Sequence, residues 1–367
     1  MHKMVIIGAG RIGSAIIRLL HRSGRYQLKV VEQNPKLFES IADLGAIEKL
    51  TIERSDVAHF VEAMKGWHAV VSAGPFSLNR TIAEAALAAG VSYFDLTEDV
   101  ETTAHIRKLA THAKNGQIFM PQCGLAPGFI GILAANMVSR FDRLDAIRMR
   151  VGALPKYPTN QIRYNLTWST DGLINEYCNP CDAIVSGQIV QVQALEGLEH
   201  ISIDGVEYEA FNTSGGLGTL CESLRGKVRA LDYKTVRYKG HHYLMNFLIR
   251  ELQLGDVPRR ELLKQLLEAV VPITRQDVVL IFVSASGWRD GVLEEITEVR
   301  KIYHQEIGGR VWSSIQITTA SSVCAVVDLF FEGKLPQQGF VRQEEVDLQA
   351  FLVSPFGRPF LEERISQ

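Results

Sequence analysis

Gly8-Ala9-Gly10-Arg11-Ile12-Gly13 follows the apolar run Met4–Ile7 and opens a segment in which Ile12, Ala15, Ile16, Leu19 and Leu20 share one helical face. Between a strand and a helix, a GxGxxG turn is built to hold a pyrophosphate. Its first glycine permits the tight turn, the second lets the phosphates approach the backbone, and the third lets helix and strand pack closely. The helix N-terminus then stabilises the phosphate charge. Gly8, Gly10, Arg11, Ile12 and Gly13 are therefore expected to contact a dinucleotide. Glu32 ends the second apolar run, nineteen positions after Gly13, where a carboxylate accepts hydrogen bonds from ribose hydroxyls and repels a 2′-phosphate. NAD is the expected cofactor, while Arg11 and Lys36 leave a path to NADP. Asp56, after the third run, is expected beside the adenine, and Ala73-Gly74-Pro75, after the fourth, beside the crevice at the carboxyl ends of the strands.

The elements that must position these residues follow a strand–helix rhythm. Met4–Ile7, Leu28–Val31, Leu50–Ile52, Ala69–Ala73, Val91–Asp95 and Ile118–Met120 read as strands separated by helical patterns, which implies a parallel sheet. Gly24 stops the first helix; Asn79 is expected to cap a helix through Ile82, Ala85, Ala86 and Ala89, which Gly90 closes. Beyond a helix opened by Pro127, Ile147, Met149 and Val151 alternate with Arg148, Arg150 and Gly152, as in a strand with one wet face. Val278–Ser284 and Ile296–Tyr303 flank Gly287-Trp288-Arg289-Asp290-Gly291 and read as a hairpin. The fold class is α/β: a Rossmann doubly wound parallel sheet over 1–125, a mixed α+β domain over 126–312, and a C-terminal segment, 313–367, whose helix near Ser314–Phe331 is expected to return to the first domain.

Bulk properties narrow the function classes. With 39 basic and 41 acidic side chains and no basic run, nucleic acid is not an expected partner. Gln316, Ser321, Ser322 and Asp328 interrupt the apolar C-terminal stretch, so a buried helix is expected there and no membrane contact. The opening apolar run is too short for a signal-peptide core, and five scattered cysteines suit reduced thiols, so the cytoplasm is expected. Cys178-Asn179-Pro180-Cys181 is a CxxC with no second pair, and no metal is expected.

The chain resembles the saccharopine dehydrogenase family, and within it the lysine 6-dehydrogenase members. Besides the glycine turn, the resemblance rests on Cys123-Gly124-Leu125-Ala126-Pro127-Gly128, Tyr164-Asn165 with Trp168-Ser169, Asp171-Gly172-Leu173 and Glu176-Tyr177. It continues through Thr213-Ser214-Gly215-Gly216-Leu217-Gly218-Thr219, Tyr233-Lys234-Thr235 and Arg237-Tyr238-Lys239-Gly240-His241. It implies a nicotinamide-dependent oxidoreductase acting on the carbon–nitrogen bond of an amino acid, with oxidative deamination of the L-lysine ε-amine as the leading activity. It also implies a substrate domain that mediates self-association, here as a homodimer. Gln122 stands where those members carry an acidic residue, and Thr97-Glu98-Asp99 where they carry glycine-glycine-histidine. These departures leave saccharopine dehydrogenation or a carboxynorspermidine-type condensation as alternatives. A non-catalytic, NAD(P)-sensing Rossmann protein is the alternative of another class.

Removing hydride from a carbon that bears an amine requires the neutral amine, whereas a free lysine ammonium has a pKa of about 10.4. His241, which ends the family-like run, is the first candidate base, with Glu98 after the fifth strand and Tyr164 as further catalytic candidates. Arg237 is the candidate for a substrate carboxylate, which its planar fork recognises. Thr213, Ser214 and Gly215 could offer backbone amides at the start of a helix through Leu220 and Leu224.

Overall fold

The structure is a computed structural model that describes residues 1–307 and 309–361. The described residues divide into two units, one of residues 1–132 with 318–359, the other of residues 133–317 with 360 and 361.

In the first unit, β1 (His2–Ile7), β2 (Tyr26–Glu32), β3 (Ile47–Thr51), β4 (Ala69–Ser72), β5 (Ser92–Asp95) and β6 (Ile118–Met120) form a parallel sheet in the order β6-β5-β4-β1-β2-β3. Every residue of β4, β5 and β6 is buried, as in a sheet covered on both faces. Helix α1 (Arg11–Arg22) buries Ala15, Ile16, Ile17 and Leu20, and ends in His21 and Arg22, which suit the negative end of its dipole. Asp56 caps α2 (Val57–Met64), Gly90 in the left-handed conformation ends α3 (Asn79–Ala89), and Asp99 caps α4 (Val100–Ala110). The strand Gly339–Phe340 pairs parallel with β6, so the segment after residue 317 extends this sheet.

Several details differ from the sequence expectation. β3 spans Ile47–Thr51 rather than Leu50–Ile52, because an edge strand carrying Glu48 and Lys49 hides its apolar pattern. Asn79 does not cap α3: its side chain turns under the sheet end toward Ser72 and Asp95. The helix expected from Pro127 starts as α5 at Phe129 and runs to Val138, because Gly128 adopts φ +138°. The helix Ser314–Phe331 is long and apolar enough to cross a membrane, yet 83% of it is buried inside the protein. Its Asp328 is satisfied by the Tyr26 hydroxyl at 2.6 Å and by Arg25 at 2.8 Å.

The second unit is built on an eight-stranded mixed sheet of β7 (Arg143–Pro155), β8 (Cys181–Val185), β9 (Gln188–Val192), β10 (Glu199–Ile203), β11 (Val206–Asn212), β12 (Ala230–Tyr238), β13 (Asp277–Arg289) and β14 (Val292–Tyr303). Only the β7–β12 pairing is parallel. The β13–β14 hairpin closes on Asp290-Gly291 alone, both at positive φ as a two-residue turn requires, so its strands run farther than their apolar patterns suggest. Gly287 therefore lies inside β13, where a Cβ would sit 2.5 Å from the Arg143 carbonyl oxygen.

Strand alternation gives β12 two different faces. Val236 packs with Leu154, Tyr208, Ala210, Val278 and Leu280, and Lys234 lies beside Arg150, whose guanidinium is shared between Glu199 and Asp232. Arg237 belongs to the opposite face, together with Tyr233 and Thr235. A second core of Tyr164, Leu173, Tyr177, Phe211, Met245 and Leu267 gathers around α6 (Thr170–Cys178).

Candidate active site

In the first unit the glycine turn divides its labour in space. A Cβ on Gly13 would stand 2.0 Å from the Gly8 carbonyl oxygen, so this residue is set by packing of α1 on the turn. Gly8 has φ +99°, and a Cβ there would lie 2.9 Å from the Ala73 carbonyl and the Gly74 nitrogen. Gly10 differs: at φ −66° it is conformationally ordinary, its Cβ direction is open for 4 Å, and as N-cap of α1 it brings no side-chain cap. Gly74 likewise faces open space. An uncapped helix start beside an open, side-chain-free surface fits a pyrophosphate.

Glu32 holds this turn in shape. Its Oε2 accepts from the Ala9 N–H at 2.8 Å, and its Oε1 from Gln33 and Asn34 N–H at 2.8 and 3.0 Å. Arg11 is exposed and Ile12 half-buried at the start of α1. Ala73 donates its N–H to the Ile7 carbonyl at 2.8 Å, and Pro75 leads into a short 3-10 turn, Phe76–Leu78. Asp56 is occupied as a helix cap: it accepts from the His59 N–H at 3.0 Å and pairs with the His59 ring at 2.7 Å. Its carboxylate is accounted for without an adenine. Glu98 lies half-buried in the loop between Asp95 and the capping Asp99.

In the second unit, Arg237, Tyr164 and His241 come together, joined by a residue that sequence reasoning left without a role, Tyr177. Arg237 is 2% exposed; its Nε donates to Tyr177 Oη at 2.8 Å and its Nη1 to the Val236 carbonyl at 2.9 Å. Among the described residues, Nη2 donates to none. The guanidinium lies 5.1 Å from the Tyr164 ring centre and 5.7 Å from that of Tyr177, with the buried Glu176 adding a favourable charge interaction.

His241 sets the direction of this chain. Its Nδ1 donates to the Ile162 carbonyl at 2.8 Å, so its Nε2, 3.0 Å from Tyr177 Oη, is an acceptor. The Tyr177 hydroxyl therefore donates to His241 and accepts from Arg237. Complete burial, helped by the Arg237 charge, pushes the His241 pKa down to about 3, so the imidazole is neutral throughout the physiological range. With both nitrogens engaged and no exposed surface, His241 has the surroundings of a positioning group. Glu209, the register partner of Arg237, sets the turn that carries it by accepting from the Gly240 and His242 N–H groups.

Tyr164 is held by Asn160, which bonds both its N–H and its carbonyl, and burial pushes its hydroxyl pKa up. That hydroxyl has no well-formed hydrogen bond, the side chains of Thr167 and Trp168 approaching it only loosely. Among the described residues, the Asn165 carbonyl oxygen and the Thr213 hydroxyl are also buried without partners. The expected amide cradle at 213–215 takes a different form. Ser214 spends its N–H on the Glu176 carbonyl at 3.0 Å and its hydroxyl on that of Asn175 at 3.1 Å, while Gly215 turns at φ +86°. The helix after it is the single turn Leu220–Ser223, too short for a useful dipole. The adjoining Gly216 is a packing requirement, since a Cβ there would meet the Tyr233 ring at 2.3 Å.

Comparison with known proteins adds the family context. A family model described as the saccharopine dehydrogenase NADP binding domain matches residues 4–120, and one described as the saccharopine dehydrogenase C-terminal domain matches residues 124–363. The mitochondrial alpha-aminoadipic semialdehyde synthase of Mus musculus is 22% identical over 320 residues, which cover 81% of this chain and 32% of that one. The chain thus spans about a third of the length of the curated relatives it matches. Apo histidine-tagged saccharopine dehydrogenase (L-Glu forming) from Saccharomyces cerevisiae superposes with a TM-score of 0.77 at 14% identity, over 99% of this chain and 97% of that one. The homospermidine synthase of Legionella pneumophila, in complex with NAD, gives 0.69 at 13% identity, over 99% and 90%. At these identities the two structures establish the shared fold.

Proposed function

The chain belongs to the saccharopine dehydrogenase family of NAD(P)-dependent oxidoreductases, and from that premise we propose that it acts on the carbon–nitrogen bond of an amino acid, with the L-lysine ε-amine as first substrate. The observation that carries the amino-acid part is Arg237, a buried guanidinium whose Nη2 has no acceptor among the described residues. A carboxylate would complete its planar fork. Tyr177 and His241 hold the fork rigid, and Tyr164, its ring against the guanidinium and its hydroxyl without a well-formed hydrogen bond among the described residues, supplies a second donor. The turn at Gly8–Gly13 and the start of α1 would hold the phosphates of a dinucleotide, which would supply the hydride acceptor. Glu98, half-buried in the loop after β5, remains the proposed acid–base group of the first unit. His241 takes the positioning role in this scheme, since a neutral imidazole with a pKa near 3 is a weak base.

The test is a panel of amino acids and their decarboxylated amines, with NAD and with NADP, followed through nicotinamide absorbance. Turnover of an amino acid well above that of its amine is expected. Saccharopine and polyamine precursors belong in the panel, since longer substrates would redirect the assignment. Dinucleotide binding without turnover of any member would favour a sensing role. The same reading takes the protein to be a cytoplasmic homodimer, the location being supported by the five unpaired cysteines.

NAD is proposed as the preferred cofactor, on the strength of Glu32. Because Glu32 also restrains Ala9, Glu32→Ala should weaken NAD binding by about tenfold while NADP changes less, so the preference narrows or inverts. Titration of both cofactors into wild type and variant checks this. An unchanged NAD/NADP ratio would remove Glu32 from the ribose site.

A further inference from the structure

We infer that Asp95 is a positioning residue for the nicotinamide end of the dinucleotide crevice. Asp95 ends β5 with no solvent exposure, and four donors converge on its carboxylate. Oδ1 accepts from the Thr97 and Gln122 N–H groups, both at 2.9 Å; Oδ2 accepts from the Tyr93 hydroxyl at 2.8 Å and from Asn79 Nδ2 at 3.3 Å. Its own carbonyl accepts from Cys123 N–H at 2.8 Å. Asn79 Oδ1 in turn accepts from the Ser72 hydroxyl at 2.7 Å. One buried charge therefore ties the ends of β4, β5 and β6 to the start of α3.

The charge is needed by the geometry. Only an ionised carboxyl presents acceptors to four donors at once; an amide would turn N–H against N–H. Burial pushes the Asp95 pKa up to about 6, opposed by the donors from Thr97, Gln122 and Tyr93, so the group is ionised above that pH at a cost. For stability alone, an apolar replacement of such a buried charge is often neutral or better. Gln122 adds to the cost, sitting at φ +66°, a conformation that non-glycine residues avoid. These costs are concentrated at the ligand end of the sheet.

The strand order says which end of the ligand is concerned. The glycine turn leaves β1; Glu32 ends β2 on one side, and β4, β5 and β6 end on the other. With the adenosine ribose at Glu32, the nicotinamide half extends over the ends of β4–β6, between loops 97–99 and 122–124, which are the loops Asp95 fixes. The inference rests on dinucleotide binding and not on the amino-acid substrate.

Asp95→Asn, identical in size, is the test, read by binding as well as by turnover. Affinity is measured for the preferred dinucleotide and for its ADP-ribose fragment, or the 2′-phosphorylated fragment if NADP is preferred. The expected result is an unchanged fragment affinity, a dinucleotide affinity lowered toward that of the fragment, and a kcat lower by about tenfold or more. Equal loss for fragment and dinucleotide, or no loss for either in a folded variant, would overturn the assignment. If Asp95→Asn does not fold, Tyr93→Phe removes one donor and no charge. A smaller but equally selective loss supports the role, and a uniform change or none refutes it.

Discussion

Gly10→Val is expected to fold as the wild type does and to bind dinucleotide about a hundredfold more weakly. The position is at φ −66°, and a Cβ there would have no atom within 4 Å beyond its own neighbourhood in the chain, so the protein leaves room for a side chain. The cost to folding should stay near 1 kcal/mol, the difference between glycine and a branched residue at a helix N-cap. The valine instead occupies the surface from which the first-turn amides of α1 meet the pyrophosphate. Losing one or two charge-assisted hydrogen bonds amounts to about 3 kcal/mol. Gly13→Ala should behave in the opposite way. Its methyl would lie 2.0 Å from the Gly8 carbonyl oxygen, so the turn itself must shift, and stability should fall by about 1–3 kcal/mol along with binding. Thermal unfolding and cofactor titration on the two variants separate a ligand surface from a packing contact. Retained affinity in folded Gly10→Val would take the turn out of the site.

How much of this is legible in the sequence depends on the range of the contacts. The glycine turn, the alternation of strands and helices and the position of Glu32 are local patterns, and they describe the first unit apart from edge effects such as β3. The Arg237 assembly is not local. Tyr177 lies 60 residues from Arg237 and 64 from His241, and nothing in the periodicity of α6 says that its tyrosine meets β12. Glu176-Tyr177 stood out in the sequence only as part of the family-like pattern. His241 stood out as a base because it ends the family-like run; its burial, which removes a histidine's ordinary titration near neutrality, is a tertiary fact. Asp95 was hidden for a related reason: in the sequence it is only the last residue of the strand Val91–Asp95, and its four donors come from three separate chain segments. In the loop at 213–219 the expected amide of Ser214 is spent on the Glu176 carbonyl, and Gly216 serves the packing of Tyr233.

The second large effect is expected at Arg237. Arg237→Lys keeps the charge and loses the fork, the Tyr177 contact and the stacking on Tyr164. Turnover of the amino-acid substrate should fall by about 1.5–3 kcal/mol in specificity constant, one to two orders of magnitude. Some loss of stability is expected as well, since Tyr177 Oη is left without its buried donor. Dinucleotide affinity, which depends on the glycine turn in the other unit, should not change. A parallel fall in stability, cofactor affinity and turnover would instead mark Arg237 as a structural residue.

The most direct measurement compares lysine with the diamine that it becomes on losing its carboxylate, in wild type and in Arg237→Lys. If another amino acid leads the panel, that amino acid and its own amine take their place. The ratio of the two kcat/KM values isolates the carboxylate, because losses common to both substrates cancel. The account predicts a ratio of about a hundred in the wild type, falling by about tenfold or more in the variant. A wild-type ratio near one, or the same ratio in both proteins, would contradict carboxylate recognition by Arg237 and with it the assignment of an amino-acid substrate.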